Sequence, residues 1–405
     1  MTRAARGPDF RRKVFYIPGY DPFPARRYRE LYRKEGARQA EFSGYELGMF
    51  PGADGGALWR VASLMGGKVT EAEVEVLGWS DIVQRSMARG VAGTYGQLVR
   101  TAWVYLSTGT LRRLVWLGRG PMLAAAYPVM MLLAQLGLAI ALGWILGGLV
   151  GRVLSPVAGW VVGVALAAVT LEGFRRIDGR LFAHYLMHDY AFSASRRGAT
   201  PPELAAREED FASRIAAALV DDDLDEVLVV GHSSGAAIAV SVLARLVREE
   251  IAGDGDRPVL SLLTLGQSIP MISFLPEARQ LRADLQLLSE QPHLAWVDVT
   301  APGDGCAFAL TDPVAVSGVG REGKPWPLVI SAAFSRTLAP ETFARLRRRY
   351  FRLHFQYLCA FERPADYDYF RITAGPVTLA ERFRGRESST SRIDIAVSPY
   401  RSVAA

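Results

Sequence analysis

The sequence predicts an α/β protein: a mainly parallel β-sheet flanked by helices, interrupted by a hairpin of two transmembrane helices. Three observations indicate this fold class. Short β-branched runs alternate with amphipathic helical stretches along most of the chain. One internal segment, residues 120–171, carries a single formal charge. Between residues 226 and 240, a strand pattern, a tight turn and a small-residue helix pattern follow one another directly.

Composition limits the class of protein before any motif is considered. The chain has 405 residues, half of them hydrophobic, and a mean hydropathy of +0.12. An apolar content this high excludes a globally disordered chain. Two cysteines exclude a disulfide scaffold and favour a reducing compartment. The positive mean hydropathy indicates either a very large core or a segment that lies in lipid.

The net charge of +6 does not by itself indicate a nucleic-acid partner. Of 47 basic residues only four are lysines, and this arginine bias accompanies the many alanines and glycines of a GC-rich coding sequence. The basic clusters at 11–13, 112–113 and 345–352 are not followed by the interleaved aromatic residues or the motif spacing of a known nucleic-acid-binding module. Anionic lipid headgroups attract such clusters equally well. We therefore expect no nucleic-acid partner.

The apolar segment is predicted to form two helices. One helix over 120–171 would be about 78 Å long, whereas a bilayer core is about 30 Å thick. Glycines at 147, 148 and 151, with Arg152 and Ser155, supply residues typical of a turn, and Pro156 suits a first helical turn. The sequence thus predicts helices at about 121–148 and 156–174. A pair of buried core helices is the alternative.

Arginines flank this hairpin on both sides, at 112, 113 and 119 before it and at 175, 176 and 180 after it. The positive-inside rule then places both termini and the soluble portion in the cytoplasm, on a bacterial inner membrane. The basic start, residues 1–13, is not followed by an apolar stretch, so no secretory signal is expected.

The remaining chain forms two arms of one α/β domain. Patterning divides the chain into an N-terminal arm (1–118), the hairpin (119–176), a C-terminal arm (177–384) and a flexible tail (385–405). Strands are predicted at 14–17, 58–63, 72–79, 226–230, 259–265 and 294–299. Helices are predicted at 24–37, 203–219, 235–249 and 276–289.

One motif indicates chemistry. The strand pattern at 226–230 runs into Gly231-His232-Ser233-Ser234-Gly235 and then into a helix that opens with small residues. This is the pattern of a nucleophile elbow, a tight strand-to-helix turn that projects a serine hydroxyl above the sheet. The helix N-terminus favours negative charge that develops beside Ser233. An ordinary tight turn is the alternative interpretation.

At these residues the chain resembles the α/β-hydrolase superfamily, and within it the lipase-like and esterase-like serine hydrolases. The resemblance implies that Ser233 is the nucleophile, with Gly231, His232 and Gly235 completing the elbow. It implies that the backbone N–H of Ser234 is one oxyanion donor. The early strand that ends in Ile17-Pro18-Gly19-Tyr20 is similar to the segment that supplies the second donor, the N–H of Tyr20 or Gly19.

A serine becomes nucleophilic only when a base removes its proton. In this fold the triad runs in the order serine, acid, histidine, and His354 is the only histidine downstream of both Ser233 and Asp304. His232 is interpreted as elbow packing. The other three histidines are interpreted as surface or interfacial residues: His184, His188 and His293.

The acid is predicted to be Asp304, in the glycine-containing loop after the strand at 294–299, with Asp312 and Asp298 as alternatives. One feature departs from the family pattern. Residues 346–358 read as one continuous helix, which would keep His354 from Ser233 unless the helix breaks near 350–353.

The resemblance and the hairpin together imply a membrane-anchored serine hydrolase acting on an acyl ester, with the lipid bilayer and that ester as partners. No phosphate-binding loop or metal-ligand cluster is apparent in the sequence, so no cofactor or metal is expected. Two alternatives are an acyltransferase that uses the same triad and a catalytically inactive membrane scaffold.

Overall fold

The fold is described from a computed structural model that covers residues 8–52, 56–87, 90–251 and 258–404, apart from the side chains of 119–125. The first seven residues, part of the basic start considered above, lie outside this description. The described chain is α/β, with a mostly parallel eight-stranded sheet, helices on both of its faces and two long apolar helices.

The sheet has the strand order β2-β3-β4-β1-β5-β6-β7-β8. Its strands are β1 (Phe10–Ile17), β2 (Glu46–Pro51), β3 (Leu58–Met65), β4 (Lys68–Val76), β5 (Glu226–His232), β6 (Val259–Leu265), β7 (Ala295–Thr300) and β8 (Leu328–Ser331). Strand β3 runs in the opposite direction to the other seven strands. The six predicted strands are confirmed, whereas the two edge strands β2 and β8 were not predicted.

The helices before β5 are α1 (Arg26–Ser43), α2 (Ser80–Ser86), α3 (Val91–Ser107), α4 (Thr110–Leu114), α5 (Arg119–Val153), α6 (Pro156–Arg176), α7 (Asp178–Leu181), α8 (Ala183–Ala194) and α9 (Pro202–Leu219). Those after β5 are α10 (Gly235–Arg248), α11 (Pro270–Ser273), α12 (Arg279–Ser289), α13 (Pro313–Val316), α14 (Phe334–Thr337), α15 (Pro340–Leu346), α16 (Tyr350–His354), α17 (Tyr369–Ala374) and α18 (Leu379–Arg382). Short 3-10 turns lie at Val115–Leu117, Ser195–Gly198 and Phe355–Leu358.

Two hydrophobic cores cover the two faces of the sheet. Because successive side chains on a strand point to opposite faces, Val14 and Tyr16 of β1 enter one core while Phe15 and Ile17 enter the other. The first core is closed by α1, α17 and α18, and the second by α2, α9, α10 and α12. This arrangement buries the strands that lead to the candidate site on both sides.

The hairpin turns later than predicted. Helix α5 continues through Gly147 and Gly151 to Val153, and the turn consists of Leu154 and Ser155, whose hydroxyl caps α6. The glycines pack against α6 instead of forming the turn. A Cβ atom on Gly147 would lie 2.6 Å from the carbonyl oxygen of Gly159. Close backbone contact through small residues is typical of helices that associate in membranes.

Both hairpin helices are long and apolar enough to cross a membrane, over Ala126–Val153 and Pro156–Arg176. In the most apolar 18-residue stretch of each helix, only 22% and 6% of the residues, respectively, are buried inside the molecule. The alternative of two buried core helices is therefore wrong.

The C-terminal segment, predicted to be a flexible tail, contacts the domain over its described residues. The N–H of Ile393 donates to the carbonyl of Leu310, and that of Ser389 to the carbonyl of Val329. The guanidinium of Arg282, which is fully buried, donates to the carbonyl of Ser402. The tail therefore covers the side of the sheet near β8.

Candidate active site

Ser233 lies on a strained turn between β5 and α10. Its φ of 58° falls in the left-handed region, which costs a non-glycine residue about 1–2 kcal/mol. The flanking glycines permit the close packing of this turn. A Cβ on Gly235 would lie 2.4 Å from the carbonyl oxygen of Ile17, and one on Gly231 would lie 2.7 Å from Cα of Ala236. The local sequence thus produces the predicted strand–turn–helix.

His354 reaches the same cleft because the chain breaks before it. Helix α15 ends at Leu346, and Arg349 has a non-helical φ/ψ of −109°/67°, so the short helix α16 starts anew at Tyr350 and ends at His354. The predicted departure, one continuous helix through His354, is therefore wrong. The break lies at residues 347–349, slightly before residues 350–353, where a break was expected to be needed.

The imidazole of His354 is held by one carboxylate. Its Nδ1 lies 2.8 Å from Oδ2 of Asp304, and both side chains are almost completely buried. With Nδ1–H donating to Asp304, Nε2 carries the lone pair. This Nε2 is buried without a hydrogen-bond partner among the described residues. An imidazole held in this way has the tautomer that a general base needs.

Asp304 follows β7 and is fixed by two further donors. The backbone N–H of Cys306 donates to Oδ1 at 2.9 Å, and the hydroxyl of Tyr357 donates to Oδ2 at 2.9 Å. Tyr357, which the sequence did not single out, lies three residues after His354. It therefore joins the acid and the histidine from the same segment of chain.

The two alternative acids have other partners. Asp298 lies inside β7 and accepts a hydrogen bond from Thr264, while Asp312 caps α13 and accepts a hydrogen bond from Lys324 at 2.6 Å. Of the three aspartates, Asp304 is the one that the structure brings to His354.

The loop after β1 lies against the candidate nucleophile. A Cβ on Gly19 would lie 2.9 Å from Cβ of Ser233, so only glycine fits there. The N–H of Tyr20 donates to Oγ of Ser234 at 2.9 Å and is therefore already engaged. The structure shows no acceptor for the N–H of Ser234 or of Gly19 within the described residues. Of the expected oxyanion donors, these two amides remain free.

His232 does more than pack in the elbow. Its ring is buried 4.8 Å from that of His354, and its Nε2–H donates to the backbone carbonyl of His354 at 3.1 Å. Burial and the neighbouring His354 hold the pKa of His232 well below its usual range, so the ring is neutral. The contact fixes the backbone of His354 beside the turn that carries Ser233.

Ser233, His232 and His354 line one cleft of about 760 Å³, its open mouth included, in which tyrosines and apolar residues form most of the wall. Two carboxyls also line it: Asp21, in the loop after β1, and Asp189 of α8, which sequence reasoning missed because it stands outside any motif. Burial raises the pKa of Asp189 to about 7, and the nearby His354 opposes that shift. The other histidines of α8, His184 and His188, are buried against α3 rather than exposed.

Ligand atoms of Asp304, Cys306 and His354 all lie within 4.8 Å of one another and form a candidate metal-binding cluster. However, a hydrogen bond of 2.8 Å already joins Nδ1 of His354 to Oδ2 of Asp304, so of the two ring nitrogens only Nε2 is open to an ion. The geometry favours an Asp–His pair over a metal centre.

Comparison of the chain with protein-family models, with curated proteins and with solved structures finds no match.

Proposed function

We propose that this protein is a membrane-anchored serine hydrolase of the α/β-hydrolase type, which cleaves an acyl ester through Ser233, His354 and Asp304. One observation carries the proposal. A serine held at positive φ shares a cleft with an imidazole whose Nδ1 is bound to a buried carboxylate and whose Nε2 has no partner among the described residues. This is the arrangement of groups that nucleophilic serine catalysis requires.

In the proposed reaction, Nε2 of His354 takes the proton of Ser233 as Oγ attacks the ester carbonyl. The oxyanion forms near the free N–H of Ser234 at the start of α10, where hydrogen bonding and the helix dipole stabilise negative charge. The ester C–O bond then breaks, and the imidazolium returns its proton to the departing alcohol. A water molecule, deprotonated by His354, attacks the acyl-enzyme and releases the carboxylic acid and free Ser233.

Asp304 and Tyr357 position His354 before the reaction begins. Together they hold the ring of His354 in one orientation, and the Asp304 carboxylate stabilises the imidazolium that forms. The hydrogen bond from Tyr20 N–H to Ser234 Oγ fixes the loop after β1 beside the elbow. The cleft is thus organised in the absence of substrate.

The hairpin anchors the enzyme. Apolar side chains on two helices of membrane-spanning length are exposed on the molecule, and a bilayer is the medium that would cover them. The flanking arginines favour both termini in the cytoplasm. A reporter fused after the last residue tests this orientation, because activity only from a periplasm-specific reporter would contradict it.

An acyltransferase would use the same triad and differ only in the acceptor that attacks the acyl-enzyme. The inactive-scaffold alternative rested on a continuous helix through His354, and the break at 347–349 removes that support.

Labelling with a fluorophosphonate probe tests the proposal on the full-length protein in detergent. We expect the wild type to be labelled, Ser233→Ala to be unlabelled, and Ser268→Ala, which removes another serine of the same cleft, to be labelled normally. Ester turnover by Ser233→Ala should fall by about 10⁴-fold or more. Equal labelling of Ser233→Ala and wild type, or no labelling of either, would overturn the proposal.

A further inference from the structure

A second, larger cavity continues from the candidate active site. It measures about 2880 Å³, the space open to solvent included. It shares Leu186, Cys306, Phe351 and Phe355 with the cleft that holds Ser233 and is also bordered by Asp304. We call this cavity the acyl groove. Its apolar part combines aliphatic side chains with an aromatic wall, in which the rings of Phe182 and Phe351 stack 4.9 Å apart.

The far end of the acyl groove reaches the membrane hairpin. Tyr127 and Met130, near the start of the apolar span of α5, line it together with Leu181 just after α6. The hydroxyl of Tyr127 donates to the carbonyl of Leu181 at 2.6 Å and joins the two sides. Met130 is largely exposed. The groove therefore opens where the apolar helices leave the domain, at the level expected for the membrane interface.

Positive charge surrounds this opening. Six exposed arginines line the acyl groove. Arg27 pairs with Asp21, and the other five are Arg180, Arg347, Arg348, Arg349 and Arg352. Within the described part of the chain, none of the five forms an ion pair. The single carboxylate in the lining, Asp304, is already bound to His354 and Tyr357. The rim therefore has an uncompensated positive charge.

We infer that the substrate is a phospholipid with a net negative headgroup, drawn sideways from the bilayer into the acyl groove. The inference rests on the proposed hydrolase function and specifies its substrate. Guanidinium groups pair with phosphate through two parallel hydrogen bonds, and the uncompensated rim favours a headgroup with net negative charge over a zwitterionic one. The acyl chain lies along the aromatic wall, and its ester reaches Ser233. The products are a free fatty acid and a lysophospholipid.

A competition experiment tests this with the full-length protein reconstituted into vesicles. The vesicles contain phosphatidylglycerol and phosphatidylcholine whose acyl chains carry different isotopes, so that both substrates experience the same surface charge. The readout is the ratio of the two fatty acids released. We expect the wild type to favour phosphatidylglycerol, and Arg347→Gln/Arg348→Gln/Arg349→Gln to lower the ratio by about fivefold per arginine, a factor equal to about 1 kcal/mol.

The matched control removes the same charge elsewhere. The control is the triple variant Arg60→Gln/Arg279→Gln/Arg321→Gln, whose three positions lie outside the groove. It should leave the ratio at its wild-type value. If both triple variants change it equally, the effect is one of net charge and the inference fails. A wild-type ratio near 1 with normal fluorophosphonate labelling overturns the inference while the hydrolase function stands. If the wild type shows no fluorophosphonate labelling that depends on Ser233, the proposed hydrolase function itself is overturned.

A second measurement does not depend on the triple variant. A phosphatidylglycerol with a photoreactive acyl chain is added to Ser233→Ala, which cannot cleave it. Cross-links in peptides containing Met130, Leu186 or Phe351 are expected. Cross-links confined to the exposed side of α6, such as Val161, would show that lipid does not enter the groove.

Discussion

The central strands and the membrane hairpin are similarly apolar but differ in what covers them. Val229 of β5 is 0% exposed, because β1, β6 and helices on both faces surround it. Trp160 and Val164 of α6 are 77% and 61% exposed, with no protein over them. The apolar side chains of the sheet are buried within the chain, whereas most of those of the hairpin are exposed, as the proposed bilayer contact requires.

The two regions also differ in how their backbones approach one another. In the sheet, branched and aromatic side chains fill the space between layers. In the hairpin, Gly143 and Gly147 of α5 meet Gly159 and Gly163 of α6 with almost no side chain between them. Lipid is as apolar as leucine, so close backbone packing rather than water exclusion must hold membrane helices together.

The largest expected effect is on the sheet. Arg12 and Glu226 form a fully buried ion pair at 2.5 Å, and Arg12 also donates to the carbonyls of Gly375 and Val377. Arg12→Ala leaves the Glu226 carboxylate buried without its cation and should lower the free energy of unfolding by about 3–5 kcal/mol. Thermal unfolding of the purified protein measures this. Arg12→Met/Glu226→Leu should recover much of the loss, and equal destabilisation by the double variant would contradict the charge argument.

The next effect distinguishes water from lipid around the hairpin. Val164→Arg should lower membrane insertion by about 2.5–3.5 kcal/mol if α6 lies in a bilayer. Val220→Arg, at a similarly exposed position of the soluble domain, should change stability by at most about 0.5 kcal/mol. The fraction of protein that resists alkaline extraction from membranes is the readout. No change for Val164→Arg would mean that α6 is surrounded by water.

A smaller effect tests the packing of the hairpin. Gly147→Leu would place a side chain against the backbone of Gly159 and should destabilise the helix pair by about 1–3 kcal/mol. Gly148→Leu is the control, because nothing lies within 4 Å of a Cβ at that position. Cysteine cross-linking between α5 and α6 in vesicles reports their separation. Similar cross-linking of the two variants would show that the glycine contact is not what holds the pair.

The most gradual effect concerns pH, because one group changes the free energy of unfolding by at most about 1.4 kcal/mol per pH unit. Burial raises the pKa of Asp298 in β7 to about 8, so between about pH 4 and 8 the folded domain binds a proton that the unfolded chain does not. Its stability should therefore fall as pH rises through that window. Asp298→Asn should reduce this slope, measured by denaturant unfolding. An unchanged slope would contradict the assignment to Asp298 and point to another acid, such as the half-buried Glu208, whose desolvation raises its pKa to about 8.

Local patterns predicted the parts of the molecule that depend on neighbouring residues. The strand–turn–helix at Ser233 and the two apolar helices follow from residues close together in the chain. The edge strands β2 and β8 were missed, since one contains Gly48 and ends at Pro51, and the other has only four residues. Such strands are stabilised by pairing with a neighbour rather than by their own propensity.

The sequence by itself determined that a strand–turn–helix at Ser233 and an apolar hairpin exist. Tertiary structure decided the rest: that Asp304 meets His354 across 50 residues, that His232 holds the His354 backbone across 122, and that the groove joins the cleft to the hairpin. It also decided that the glycines of α5 pack against α6 instead of forming the turn. The reason is physical, because several aspartates and glycines have similar local surroundings and only packing between distant segments selects among them.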